Sequence, residues 1–201
     1  LWQRDLPLGA QASEQILQQL DALLHESQTP WPALQLLVCG RGPGAFTGVR
    51  VAVAVCQGLA FSRGIPILPL SGLLALAENA RLTKNRPELP STFLALQDAR
   101  MGQVYAAQCQ WDGQRWLAEP EYLLNYAEIA HLPESVQPAG NVRLALYEAG
   151  LAVPQAWLDA RPSALGLLQV AAQELRAGAE VLHDAAALMP VYVRNKVAQT
   201  T

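Results

Sequence analysis

Charge is scarce in this 201-residue chain: 15% of its residues are Asp, Glu, Lys or Arg, and they sum to −3 at neutral pH. No Lys/Arg cluster stands out, so the chain has no electrostatic footprint for gripping nucleic acid by itself. No apolar run reaches the roughly 18 residues of a membrane span, and no secretory signal pattern opens the chain. Cysteine is sparse and odd in number: Cys39, Cys56 and Cys109 each lie in a largely apolar segment. That argues against a disulfide framework and for small buried hydrophobes in a reducing compartment. His25, His131 and His183 are far apart, and none belongs to an H-x-x-x-H or H-x-E pair. This argues against a simple metal site. There is no G-x-S-x-G motif, and Ser13, Ser71 and Ser163 read as helix caps instead of nucleophiles. Short-period repeats and low-complexity segments are missing too. Apolar residues are plentiful, at 51%. They suffice for a sizeable core in one compact body or two small lobes, and they argue against disorder.

The glycines concentrate in one place, Gly40-Arg41-Gly42-Pro43-Gly44-Ala45-Phe46-Thr47-Gly48-Val49-Arg50. Leu34 to Cys39 before it is an apolar run of strand length, and Val49 to Phe61 after it is long enough for a helix. The cluster therefore sits where a strand hands over to a helix. A Walker loop would need Gly-Lys-Ser/Thr, and there is no lysine; a Rossmann fingerprint would need a third glycine that is misplaced here. A tight turn alone would account for the glycines. So would a site where free helix-start amides meet an anion or another chain's carbonyls, with Gly42, Gly44, Thr47 and Gly48 as its candidates. The helix that follows is apolar on nearly every side and must be covered on nearly every side, by its own domain or by another subunit.

Along the chain, Ser13 to Ser27 reads as an amphipathic helix with Ile16, Leu17, Leu20, Leu23 and Leu24 on one face. Ile65 to Leu70 reads as a strand, and Ser71 caps a helix running to about Leu82. Leu34 to Leu82 is thus β-α-β-α, which implies parallel strands in an α/β layer. Thr83 to Ser91 is a polar linker, dividing the chain into lobes at 1–90 and 91–201. Beyond it, Thr92–Gln97, Gln103–Gln110 and Arg115–Leu117 form an antiparallel meander, with turns at Asp98–Gly102 and Asp112–Gly113. Tyr122–Leu132, Val142–Ala149 and Ser163–Ala177 read as helices. In the first hairpin, Asp98 either accepts bonds within its own turn or pairs with Arg100; Arg100 is also free to reach a partner carboxylate or phosphate. No nucleophile and base emerge as a pair.

The glycine segment closely resembles the G-x-G-P-G-S-F-T-G-[LV]-R stretch of the bacterial TsaB (YeaZ) family. Gln57-Gly58-Leu59-Ala60 is similar to that family's [KQ]-G-L-A, and Asp98 to Tyr105 to its D-A-R-x-x-[EQ]-V-Y hairpin. Pro190-Val191-Tyr192-Val193-Arg194 is similar to its closing P-x-Y-[LV]-R. Four segments in the same order span most of the chain. The resemblance implies an actin-like ATPase (ASKHA, RNase H-like) fold with two lobes. It implies a non-catalytic partner and scaffold for TsaD and TsaE in forming N6-threonylcarbamoyladenosine at position 37 of tRNA. The setting it implies is cytoplasmic. Homodimers would form through a surface overlapping the TsaD contact, and tRNA would be met only through the complex. ATP or ADP would belong to the complex, with no cofactor assigned to this chain. The partner surface would fall on the helices before and after the glycine loop, with Ile16, Leu17, Leu20, Leu24, Arg50, Val53 and Gln57 as candidates. Gly42, Gly44, Thr47, Gly48 and Arg100 are the candidates for the loop site. The alternative is an enzyme of the same fold, an ATP-binding transferase or a peptidase. Two departures stand out. Family members begin with a strand bearing I-D-T-[AS], which is not found before Ser13, so strands of the first sheet are expected to be missing. Ala45 also replaces the usual serine of the loop.

Overall fold

The computed structural model describes residues 1–6, 11–84 and 92–193. The first half contains helix α1 (Ala12–Glu26), strand β1 (Leu37–Gly40), helix α2 (Phe46–Arg63), strand β2 (Ile67–Leu70) and helix α3 (Gly72–Lys84). β1 and β2 pair in parallel, Leu37 opposite Ile67, as a β-α-β crossover requires. α1 starts with Gln11 as its cap and no capping side chain, so Ser13 lies within the helix and does not cap it. α2 starts at Phe46, three residues before the expected Val49, and ends at Gly64 in the left-handed conformation. Ser71 does cap α3, its Oγ accepting from the Leu73 amide. Of the expected linker, Thr83 and Lys84 close α3; the remainder lies outside the described residues, as do Arg194 and Asn195.

The second half is built on strands β3 (Thr92–Arg100), β4 (Gln103–Trp111), β5 (Trp116–Ala118), β6 (Tyr122–Asn125), β7 (Pro138–Gly140) and β8 (Leu158–Asp159). Its sheet runs β5-β4-β3-β7-β8, with β6 also paired to β4. The β3–β4–β5 meander is antiparallel, while β7 and β8 add in parallel. Helices α4 (Tyr126–Ile129), α5 (Arg143–Glu148) and α6 (Ala164–Arg176) complete it. The expected helix from Tyr122 to Leu132 is replaced by β6 and a single turn of α4. Leu123 pairs with Tyr105 across the sheet, and an Asn125–Glu128 capping box starts the helix only after the strand ends.

Both faces of this sheet are buried. Phe93 and Ala95 of β3, with Ala107 and Cys109 of β4, point to a core shared with α3 and α6. Leu94 and Leu96, with Val104 and Ala106, point to a second core shared with Ile129 and Leu146. The period of two sorts successive residues to opposite layers. A third cluster, around Cys39, Val53, Ala60, Ile67 and Leu188, lies under α2.

α6 and α3 approach closely at Gly166, where a methyl group would fall 2.4 Å from the Ala75 carbonyl oxygen. Beside that crossing, the carboxylate of Glu78 is 0% exposed. It accepts two bonds from Arg81, both at 2.8 Å, one from Trp116 Nε1 at 2.8 Å and one from Gln173 Nε2 at 3.2 Å. A buried charge persists only when its lone pairs are met in this way. The cluster joins α3, β5 and α6 around one anion.

Candidate functional site

The glycine loop leaves β1 and turns sharply before α2. Gly42 sits at φ +98°, where only glycine is unstrained, and the Gly42–Pro43 peptide is cis. The loop is anchored on three sides: Arg41 N–H donates to Leu70 O, Gly72 N–H to Gly42 O, and Val191 N–H to Arg41 O. The chain before Val193 therefore folds back onto the loop. At the start of α2, Ala45 supplies no capping side chain, and Thr47 and Gly48 are exposed. Gly42 is buried beneath Val49, so its role is to shape the turn and it offers no surface.

Facing the loop is the β3–β4 hairpin. Asp98 to Arg100 remain strand with a bulge, and the reversal falls on Met101 and Gly102. Arg100 (φ +63°) and Met101 (φ +57°) are held in the left-handed region. Asp98 explains how: its Oδ1 accepts from the Arg100 amide at 2.8 Å and from the Tyr126 hydroxyl at 3.1 Å. Its other oxygen lies 3.4 Å from the Arg100 guanidinium, which is 88% exposed. Asn141 Oδ1 accepts from the Asp98 amide. Of the two sequence readings of Asp98, the structure carries both: it is a turn acceptor and it pairs with Arg100. Burial, followed by the nearby Asp98 charge, pushes the Tyr126 hydroxyl above its ordinary value.

Between loop and hairpin lies a cleft of about 370 Å³, lined by residues that include Gly44, Phe46, Gln97, Asp98, Arg100 and Tyr192. Gln97 Oε1 is buried there without a hydrogen-bond donor among the described residues. The lining holds one carboxylate and no histidine or cysteine. Among the described residues no group of three or more His, Cys, Asp or Glu side chains is placed to hold a metal. This arrangement can bind a small polar group; it presents no nucleophile with an adjacent base.

Arg50 lies against two side chains that line this cleft. It donates to the Tyr192 hydroxyl at 2.7 Å and lies over the Phe46 ring at 3.6 Å. Tyr192, Phe46 and Gln97 were absent from the residues singled out by sequence; the closing P-x-Y segment was the available signal for Tyr192. The expected partner-facing residues divide. Val53 (5% exposed) and Leu24 (9% exposed) are core, because α2 and α1 turn them inward. Gln57 is half-buried and ties α2 to the chain at Leu188 through a bond to its carbonyl. Ile16 and Leu20 are half-buried; Leu17 is exposed.

The exposed positions of α2 include Thr47, Arg50, Ala54, Gly58 and Phe61. These positions recur at three- and four-residue spacing, so they share one face. Phe61 is 87% exposed. Nothing lies within 4 Å of a methyl group placed on Gly58.

Against known proteins, residues 9–201 match the family model described as "TsaD: tRNA N6-adenosine threonylcarbamoyltransferase". The protein of Escherichia coli K12 named "tRNA threonylcarbamoyladenosine biosynthesis protein TsaB" is 32% identical over 197 residues, covering 92% of this chain and 82% of that protein. The chain belongs to the TsaB family. A TsaB protein of Haemophilus influenzae is 40% identical over 96 residues, 48% of this chain and 39% of its own length. The solved structure of YeaZ from Pseudomonas aeruginosa superposes with a TM-score of 0.75 at 31% identity, covering 90% of this chain and 83% of that one. Another solved structure, described as "an uncharacterized protein with similarity to peptidase YEAZ from Pseudomonas aeruginosa", matches with the same TM-score and identity. The mixed α/β architecture is accordingly the actin-like fold of TsaB and TsaD proteins.

Proposed function

We propose that this TsaB-family chain is a non-catalytic docking subunit for the biosynthesis of threonylcarbamoyladenosine in tRNA, with TsaD as its direct partner and TsaE joining the complex. One observation supports this most. α2 has 18 residues of mostly apolar character, yet only Val53 and Ala60 of it are buried. An apolar helix with one open face gains by being covered. The small residues Ala54 and Gly58 leave room for another helix to approach closely. Leu17 on α1, a helix in contact with α2, is exposed as well.

The same face would pair two copies of this chain when TsaD is absent, so the homodimer and the TsaD complex compete. The lobes divide at residues 90 and 91, and the loop-to-hairpin cleft lies between them. ATP or ADP belongs to the complex, and tRNA is met only there, in the cytoplasm. Among the described residues no helix is long and apolar enough to cross a membrane.

Light scattering on a sizing column tests the reading, with this chain alone, mixed with TsaD, and mixed with TsaD, TsaE and ATP. The expected result is a one-to-one complex with TsaD, loss of the homodimer peak, and no turnover by this chain alone. Separate elution under all three conditions, or threonylcarbamoyl transfer by this chain without TsaD, would overturn it.

A further inference from the structure

The fold gathers three arginines that the sequence keeps apart. Arg81 of α3, Arg115 of the turn between β4 and β5, and Arg176 in the last turn of α6 line one cavity of about 730 Å³. It shares no residue with the cleft beside the glycine loop. Asp112 shapes the turn, its Oδ1 accepting from the Gln114 and Arg115 amides, both at 2.8 Å. Arg115 lies 3.8 Å from Glu174, beyond hydrogen-bond reach, so its donors stay open. Arg81 uses Nε and Nη2 on Glu78 and rests 4.6 Å from the centre of the Trp111 ring, which leaves Nη1. Arg176 is exposed and has no carboxylate within ion-pair distance among the described residues. Gln173 lines the same cavity and is 6% exposed. Its Nε2 donates to Glu78 at 3.2 Å; turning the amide over would set its oxygen against that carboxylate, so charge fixes its orientation. Its Oε1 is buried and has no donor among the described residues.

We propose that this cavity binds a phosphate-class oxyanion that also carries an O–H group. Arg115, Arg176 and Nη1 of Arg81 donate to the phosphate oxygens in charge-assisted bonds. The O–H donates to Gln173 Oε1, which removes the cost of a buried acceptor without a partner. Glu78 sets this division of roles. By holding the Gln173 nitrogen and two Arg81 nitrogens, it determines which atoms are left for a ligand. The lining carries three guanidinium groups against one carboxylate, Asp112. Glu78 and Glu174 offset Arg81 and Arg115 in part, so Arg176 supplies most of the attraction. Sulfate, fully deprotonated, satisfies the arginines but not Gln173. Hydrogen phosphate satisfies both, and so does a sugar phosphate through a ring hydroxyl. The cavity has room for either, since small-molecule sites span about 300–1,000 Å³.

The test is side-chain amide NMR on the folded chain, titrated in turn with inorganic phosphate, ribose 5-phosphate and sulfate. Phosphate is expected to shift the Gln173 amide signals saturably, and sulfate to bind about tenfold more weakly or less. The Gln57 amide, bonded to the Leu188 carbonyl outside the cavity, is the internal control and should not move. Arg176→Ala is expected to weaken phosphate binding about tenfold with an unchanged melting temperature, because its side chain is exposed. Tighter binding of ribose 5-phosphate than of phosphate assigns the site to an ester; the reverse assigns it to the inorganic ion. The absence of a saturable shift with either up to about 10 mM would overturn the proposal. Equal affinity for sulfate would do the same and needs no variant, as would unchanged phosphate binding by a folded Arg176→Ala protein.

Discussion

Ala54→Glu separates docking from folding. Ala54 lies near the middle of the outward face of α2, exposed and away from the Cys39–Val53 core. Glutamate is a good helix former, and a surface change of this kind alters stability by about 0.5 kcal/mol or less. Arg50, four residues earlier, would pair with it in water for a few tenths of a kcal/mol. In a helix–helix interface the same carboxylate would be buried without a matched partner, costing about 3 kcal/mol. That corresponds to roughly a 100-fold weaker Kd for TsaD. The assay is titration calorimetry against TsaD, beside thermal melts of each variant alone. The expected result is an unchanged melting temperature with a dissociation constant raised by that order, and a homodimer weakened in parallel. A variant that melts as before and binds TsaD as before would refute the assignment of this face. Val53→Glu is no substitute: Val53 is buried with Cys39, Ala60, Ile67 and Leu188, so its loss of binding would report unfolding.

Gly58→Ala is expected to act in opposite directions: the isolated protein gains about 0.5–1 kcal/mol because alanine stiffens the helix interior, while TsaD binding weakens as the methyl obstructs close approach. Gly166→Ala drives a methyl to 2.4 Å from the Ala75 carbonyl, and an overpacked crossing should lower stability by about 2 kcal/mol in urea titration. Glu78→Gln removes the anion that Arg81, Trp116 and Gln173 donate to, for a loss of about 3 kcal/mol in the same assay. The amides of Arg115 and Gln114 hold the Asp112 carboxyl below its ordinary value of 3.8. Its folded-state pKa is depressed, so its contribution to the β4–β5 turn is complete above that ordinary value and is lost as pH falls through the lowered one. Amide exchange at Gln114 and Arg115 should therefore rise at low pH, and Asp112→Ala should remove that dependence.

The elements legible in the sequence are those whose local signals agree. The Leu34–Leu82 stretch, with its apolar strand runs, a glycine turn and the Ser71 cap, reads directly as β-α-β-α, and α6 is bounded by Ser163 and Gly178 as its sequence says. β7 and β8 were illegible because Pro138-Ala139-Gly140 and Leu158-Asp159 have no strand signature of their own. They become strands by docking on β3 and on each other, with Leu96 passing so near Gly140 that a methyl there would sit 2.0 Å from its carbonyl oxygen. Tyr122–Asn125 misled for a related reason: a short apolar run fits helix and strand equally, and the free edge of β4 decides. The hairpin was legible in kind, but not the two left-handed residues at its tip, which depend on Asp98 reaching back to the Arg100 amide. Glu78 was invisible, since one glutamate in a helical pattern gives no sign that Trp116 and Gln173 will close over it.

The direction of α2 was the most consequential thing sequence left open. An amphipathic helix declares its solvent side with a polar stripe; α2 has almost none, so its periodicity points nowhere. Its orientation is set from outside. β1 presents Leu37 and Cys39 to one side of it, and Leu188 with the Gln57 bond covers a neighbouring side. Those contacts claim Val49, Val53, Cys56, Gln57 and Ala60. The positions left over include Ala54 and Gly58, two small residues four apart on the exposed face. Turned away from the core, these two positions let another helix approach closely, which is why the open side of α2 reads as a surface shaped for another helix.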